Sequence, residues 1–380
     1  MLNILIILFT FFGLSLVVDN FLIPAVYKLK LIFGWTDDQT GTIISFVSSA
    51  PELSVSAVAL FLANLNGDVA QASMGPGTVI GSALFSILFI VGASSWFSIK
   101  KLSWPAVVRD MVCYILSVLV VYIVVFDSKV HLWESLLLLT IFGLYTFIIS
   151  KWKVILRWIG VHIDPTVIDK EVEVNKVLAK EFDLEEEKKL TIQEEKLNIL
   201  NVPTKLLSYL FFKLSSKKTS LPKIFWNIFL SVAFVIFFST LMVNNARDFA
   251  SSLGISPVVI SLTILAIGTS VPDLLASVKT AREGFGDTAI ANAVGSNIFD
   301  ILANLGLTWL VASIIKNGQS LDVDINNLNS SIVLLIAATV SLVLVMIAKQ
   351  FNLGKPVSLF LMISYAAYLS MEVLKAMGKV

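Results

Sequence analysis

Apolar runs of about twenty residues alternate along the chain with short polar breaks, and each run is long enough for a helix to cross about 30 Å of hydrocarbon. Divided at their Gly, Pro and charged interruptions, they predict ten spans: 3–27, 38–64, 72–95, 105–126, 131–150, 223–248, 257–281, 288–315, 330–348 and 355–375. Between the fifth and sixth lies a segment of different character, 151–222. Its run from Lys170 to Lys196 sets charges of both signs three and four residues apart, the spacing of a solvated helix. That segment is too charged to bury a core of its own and reads as a connector. The pattern predicts an all-α polytopic membrane protein with membrane blocks at 1–150 and 223–380 and a polar loop between them.

Composition agrees with the pattern. Hydrophobic residues make up 57% of the 380 and charged residues 14%, against about 25% charged in a soluble domain. A net charge of +1 leaves no basic face for nucleic acid. One cysteine and two histidines cannot build a disulfide framework or a zinc tetrad. The first stretch has no basic leader and carries Asp19 and Asn20, so it reads as a span rather than a signal peptide. Lys and Arg sort the loops into two sides. Lys28, Lys30, Lys100, Lys101, Arg109, Lys151, Lys153, Arg157, Lys279, Arg282, Lys349 and Lys355 fall on one, with the polar loop. Lys129, Arg247, Lys316, Lys375 and Lys379 fall on the other. The richer side is expected to be cytoplasmic, which puts both termini outside, most simply in the cell membrane.

The two blocks repeat one another. SSAPELSVS (Ser48–Ser56), GDVA and VIGSALFSIL (Val79–Leu88) recur in order as TSVPDLLAS (Thr269–Ser277), GDTA and AVGSNIFDIL (Ala293–Leu302), and SLVVDN (Ser15–Asn20) parallels TLMVNN (Thr240–Asn245). Five spans per copy is an odd number, so the copies must be inverted in the bilayer. Inverted repeats of this kind place a substrate site near the midplane where they meet.

The chemistry concentrates at two equivalent points. Pro51 and Pro272 each lie inside a predicted span, immediately before Glu52 and Asp273. Proline is expected to interrupt both helices, and the freed carbonyls in lipid then need a partner, which a cation supplies. An aspartate at the helix centre costs about 2.5–3.5 kcal/mol on insertion scales, so a matched acidic pair marks a site rather than a helix cap. Ser45 and Ser48 to Ala50, like Ala266 and Gly268 to Ser270, are small residues that let the backbone open and add hydroxyls. Two carboxylates among hydroxyls and carbonyls form a hard-oxygen site for calcium, or for sodium with fewer charges. A third acid, Asp300, lies mid-span with Ser296 one turn earlier, and the first copy has Ser82 and Ser86 in these places.

On SAPEL (Ser49–Leu53), VIGSALFSILFIVG (Val79–Gly92), WESLLLL (Trp133–Leu139), LTILAIGTSVPDL (Leu262–Leu274) and VGSNIFDI (Val294–Ile301), the chain resembles the calcium/cation antiporter superfamily, and within it the potassium-dependent sodium/calcium exchangers. The resemblance implies a ten-helix core in which inward sodium drives calcium outward, with no cofactor. It implies that Glu52 and Asp273 bind calcium and sodium in turn. Ser48, Ser49, Thr269 and Ser270 then add hydroxyl or carbonyl oxygens, and Ser45 and Ala266 add backbone oxygen. Ser82 and Ser296 line the flanking sodium sub-sites, and Asp300 matches an acid associated with potassium co-transport. Two departures stand out. Val47-Ser48-Ser49 replaces the family's usual Gly-Thr-Ser, which stiffens the first break, and Ser86 replaces an asparagine, which shortens a ligand.

Three rival readings are weaker. GFGD (Gly284–Asp287) matches an intramembrane aspartyl protease signature, but Asp287 is predicted in a charged surface turn, Asp68 in the matching turn, and the chain has no Tyr-Asp pair. A calcium/proton antiporter of the same superfamily would use the two acids without the flanking hydroxyls. A channel would conduct poorly through a two-carboxylate trap. The expectation is a non-enzymatic antiporter that works as a monomer in the lipid bilayer, with calcium and sodium as its substrates.

Overall fold

The computed structural model describes residues 2–33, 47–97, 104–158, 209–212, 220–282, 284, 286–351 and 353–376. Among the described residues, nine helices are long and apolar enough to cross a membrane: Leu2–Leu29, Val69–Phe97, Val107–Val125, Leu132–Trp152, Leu221–Leu253, Pro257–Arg282, Thr288–Ile315, Leu328–Ala348 and Lys355–Ala376. They fall on nine of the ten predicted spans. The other, at 38–64, begins outside the described residues, and its described part comprises 47–49 and the helix Ala50–Asn66. Counted in chain order with Ala50–Asn66 as the second, the third span is Val69–Phe97, the seventh Pro257–Arg282 and the eighth Thr288–Ile315. Large apolar side chains stand outward on many of them, among them Leu5, Ile123, Phe147, Phe229 and Phe360, as lipid-facing surfaces require and water-facing ones rarely allow. The polar run Lys170–Lys196 lies outside the described residues.

The chain divides into two compact units: Met1–Phe11 with Pro51–Tyr145 and Phe238–Val380, and Phe12–Ala50 with Thr146–Phe237. The first unit mixes both repeats. Its core joins Val79, Ala83 and Leu84 of the third span with Val258 and Leu262 of the seventh and Val294, Ile298 and Leu305 of the eighth. In the second unit, Phe21 stacks on Phe211 with ring centroids 3.9 Å apart, and Asn227 exchanges two hydrogen bonds of 2.9 Å with the backbone of Phe212.

The third and seventh spans approach closely because glycines line their contact. A Cβ on Gly77 would run into the Ser261 side chain, and one on Gly81 into the Leu262 carbonyl and the Ala266 methyl. Gly77 and Gly81 are four residues apart, the small-residue spacing that lets membrane helices touch backbone to backbone. Gly268 likewise leaves room for the Phe11 ring.

Among the described residues, four π-helical turns interrupt the helices, at Val18–Leu22, Phe85–Ile90, Ser261–Leu265 and Asp300–Asn304. Each widens one turn and re-aims the residues after it, a device common at functional sites. The turns at Phe85 and Asp300 overlap at matching places in the two copies, one starting at the last residue of GSALF and the other just after GSNIF. Other details repeat as well. Asn20 donates to the Leu16 carbonyl at 2.9 Å and Asn245 to that of Leu241 at 2.7 Å. Ser56 and Ser277, four residues after Glu52 and Asp273, are both buried, and each is bonded to the following span, through the Gly75 carbonyl and Asn292 respectively.

The two prolines behave differently. The backbone turns at Ser49 and Pro51 lies in the first turn of Ala50–Asn66, where a missing N–H breaks no helical bond. Pro272 sits inside Ala266–Arg282, which runs through it as an α-helix. The expected second break is therefore replaced by the π-turn Ser261–Leu265, two turns upstream. Residue Gly268, four before Pro272, is where the proline ring would crowd the helix.

Contacts in the first unit sort the loops onto two faces. On one, Asp68 pairs with Arg247 at 2.9 Å, Lys129–Val130 forms a two-residue antiparallel ladder with Leu321–Asp322, and Ser73 Oγ accepts the Asp324 N–H at 2.7 Å. On the other, Arg282 lies over the Phe97 ring at 4.2 Å and Lys355 over Trp96 at 5.6 Å.

The glycine contact yields a prediction. Gly81→Ala should cost about 1–3 kcal/mol through overpacking and lower the melting temperature in detergent. Gly295→Ala, at the matching place in the eighth span, where a Cβ meets nothing within 4 Å, should leave it unchanged or slightly raised. Equal melting temperatures for the two variants would contradict this packing.

Candidate cation site

Glu52 is fixed by the first turn of Ala50–Asn66 and is 2% exposed. Its carboxyl hydrogen-bonds to the Thr269 side chain, and the charges of Asp300 and Asp273 both bear on it. Thr269 lies one turn before Asp273 on the seventh span, and its hydroxyl is also 3.1 Å from the Leu265 carbonyl and 3.4 Å from that of Ala266. Asp300 is buried, whereas Asp273 is partly exposed. The three acids that were picked out along the chain thus share one electrostatic neighbourhood, built from the second, seventh and eighth spans.

Hydroxyls flank them. Ser82 Oγ and Ser270 Oγ are 2.7 Å apart, both buried, and join the two repeats directly. Ser86 is buried in the π-turn Phe85–Ile90, and its hydroxyl has no partner among the described residues. Ser296 donates to the Ala293 carbonyl at 3.4 Å. Ala266 is fully buried at the glycine contact. Ser48 and Ser49 belong to the second packing unit, with Ser49 buried and Ser48 partly so. Ser45 lies outside the described residues. Among the described residues, no three His, Cys, Asp or Glu side chains converge closely enough to hold a metal ion by themselves. A cation here would therefore take part of its coordination from hydroxyl and carbonyl oxygen, as calcium and sodium readily do.

Other acids are occupied elsewhere. Asp68 accepts the Gln71 N–H at 3.1 Å as a helix cap and pairs with Arg247. Glu134 accepts the His131 N–H at 2.7 Å.

Several buried polar groups escaped the sequence reading. Asn304 and Thr308 continue the line of Ser296 and Asp300 at four-residue steps along the eighth span, and Thr308 donates to Asn304 Oδ1 at 3.3 Å. The four-residue spacing is visible along the chain, but Asn304 has no polar counterpart in the first repeat, where Ile90 stands at the matching position. Asp110 holds Arg109 at 2.7 and 3.0 Å. Glu372, 3% exposed, faces Ser331 at 3.4 Å and Lys375 at 3.4 Å.

A family model described as sodium/calcium exchanger protein matches residues 3–151 and 223–374. The chain belongs to that family. Both matched blocks are membrane blocks, and the polar loop falls in the gap. Human sodium/potassium/calcium exchanger 5 is 27% identical to this exchanger-family chain, over 98% of the chain and 83% of its own length. Mouse sodium/potassium/calcium exchanger 4 is 27% identical over 98% and 81%. Among solved structures, a sodium-calcium exchanger, NCX_Mj, aligns with a TM-score of 0.51 at 20% identity, covering 97% of this chain and 98% of that one. An H+/Ca2+ exchanger, CAX, aligns with a TM-score of 0.57 at 11% identity, covering 100% and 87%. The chain therefore shares the multi-pass helical fold of these exchangers and is an integral membrane protein.

The serine pair makes a measurable link between the repeats. Ser82→Ala or Ser270→Ala each strands a buried hydroxyl and should lower stability by about 1 kcal/mol. The double variant should lose less than the sum of the two. Additive losses in thermal unfolding would show that the hydroxyls do not interact.

Proposed function

We propose that this family member is a secondary active antiporter that exchanges sodium for calcium by alternating access, with Glu52 and Asp273 as the shared cation ligands. The observation that carries the reading is the buried Glu52, bonded to Thr269 and sharing its surroundings with Asp273 and Asp300. A carboxylate cluster at membrane depth is costly unless a cation offsets it, so a cycle in which the pocket is always filled is cheaper than one in which it empties. Two carboxylates balance one calcium, and the same oxygens divided among adjacent positions balance sodium ions.

Ser48, Ser49, Thr269 and Ser270 supply oxygens beside the acids in this reading, with Ser45 and Ala266 contributing backbone carbonyls. Ser82, Ser86 and Ser296 line flanking sodium positions. The Ser82–Ser270 pair and the unpartnered Ser86 hydroxyl support sodium over protons as the counter-ion, because a proton on a carboxylate needs no further oxygen. Asp300 then brings potassium into the cycle, as the names of the curated relatives suggest. The excess of Lys and Arg supports a cytoplasmic loop 151–222, outside termini and residence in the cell membrane, with a monomer as the working unit.

Calcium-45 uptake into proteoliposomes under an imposed sodium gradient tests the reading. Glu52→Gln and Asp273→Asn should each abolish uptake while the protein still reaches the membrane. Substantial sodium-driven uptake in either variant would remove these acids from the site, and uptake driven by a proton gradient alone would favour a calcium/proton antiporter. Withdrawing potassium should slow the wild type, and Asp300→Asn should erase that dependence. Wild-type flux indifferent to potassium would leave a plain sodium/calcium exchanger.

A further inference from the structure

The line of polar residues on the eighth span does not stop at Asp300. Ser296, Asp300, Asn304 and Thr308 follow at four-residue steps, so all four share one face of the helix, and all four are buried. Asn304 is 0% exposed and lies in the last position of the π-turn Asp300–Asn304. One end of its amide meets the Thr308 hydroxyl at 3.3 Å, and the other end, Nδ2, has no hydrogen-bond partner among the described residues. Amide oxygen and nitrogen are interchangeable in shape. Whichever way the group is turned, one polar end stays buried and unsatisfied, a costly arrangement that calls for a water or an ion.

Thr308 also lines a cleft of about 320 Å³ between the second and eighth spans, walled by Leu53, Phe61 and Asn64 on one side and Val311 and Ile315 on the other. Leu53 adjoins Glu52 in the chain.

We propose that Asn304 and Thr308, with Asp300, form a sub-site for a monovalent alkali cation on the flank of the central acids. With the amide turned so that Nδ2 donates to Thr308 Oγ1, its oxygen is offered to the cation, beside one Asp300 carboxylate oxygen and the remaining lone pair of the hydroxyl. One carboxylate with neutral oxygens matches a single positive charge, whereas calcium asks for more negative charge and more ligands. The first repeat carries Ile90 and Ser94 at the matching positions, so this sub-site belongs to one half of the molecule. The proposal rests on the antiporter reading for its place in a cycle, but its test does not.

Equilibrium binding of sodium-22 and rubidium-86, the latter standing in for potassium, to the purified full chain in detergent reads the sub-site directly. Thr308→Val and Asn304→Leu preserve shape and remove the oxygens. Each should weaken binding of one tracer about tenfold, equivalent to about 1.4 kcal/mol, and which tracer it is identifies the ion. Calcium-45 binding should stay within about twofold of wild type. Unchanged binding of both tracers in both variants would overturn the proposal, as would a wild type that binds neither. If Asn304→Leu does not fold, Thr308→Val decides by the same outcomes. A wild type that carries no calcium in vesicles, yet loses tracer affinity on Thr308→Val, would sink the antiporter reading and leave the sub-site standing.

Discussion

Negative charge held away from water is the constraint that the rest of this molecule answers. Like charges a few ångströms apart repel weakly in water but severalfold more strongly at the lower effective dielectric of a protein. Glu52 is buried with Asp273 and Asp300 close enough to act on it, so the neighbourhood is unfavourable unless something positive enters. Asp68, Asp110 and Glu372 have Arg247, Arg109 and Lys375 beside them, whereas Glu52 is approached by the Thr269 hydroxyl. A fixed internal cation would make a rigid ion pair. Hydroxyl and carbonyl neighbours orient the carboxylates and leave room for a cation that comes and goes.

Holding such groups together requires helices to approach more closely than side chains normally permit. The third and seventh spans do so through Gly77 and Gly81 against Ser261, Leu262 and Ala266, and this contact brings Ser82 to Ser270. The π-turns act on the same helices. A widened turn at Ser261–Leu265 precedes Thr269 and Asp273, and others at Phe85–Ile90 and Asp300–Asn304 carry Ser86 and Asp300. Packing sets the distance between helices, and the π-turns set the direction in which the polar groups point.

Much of this was legible along the chain, because the governing physics is one-dimensional. Span lengths follow from bilayer thickness, and the repeats follow from matched words such as GSALFSIL and GSNIFDIL. The acids were conspicuous because charge is rare in apolar runs. What escaped depends on three-dimensional context. Proline was read as a break at both sites, yet Pro272 is carried inside an α-helix and the irregularity lies upstream, because a neighbouring π-turn changes the backbone without any residue type announcing it. Asn304 is hard to single out along the chain because its first-repeat counterpart is the apolar Ile90. Ser45 and much of the second span's first half fall outside the described residues.

The departures from symmetry carry the last step. Two identical inverted halves would make the two ends of a transport cycle equal in energy, since flipping the molecule would exchange them. Here the halves differ where ions would be felt. The second half has Asp300, Asn304 and Thr308 where the first has Ser86, Ile90 and Ser94, and Gly268 with its close neighbour Phe11 stands where the first half has Val47. An extra carboxylate on one side of the pseudo-axis adds cation affinity in one half alone. A small residue at one of these matched positions and a β-branched one at the other give the two backbones different stiffness. Asymmetry of this kind biases which state an occupied pocket prefers, while the direction of net exchange is set by the ion gradients.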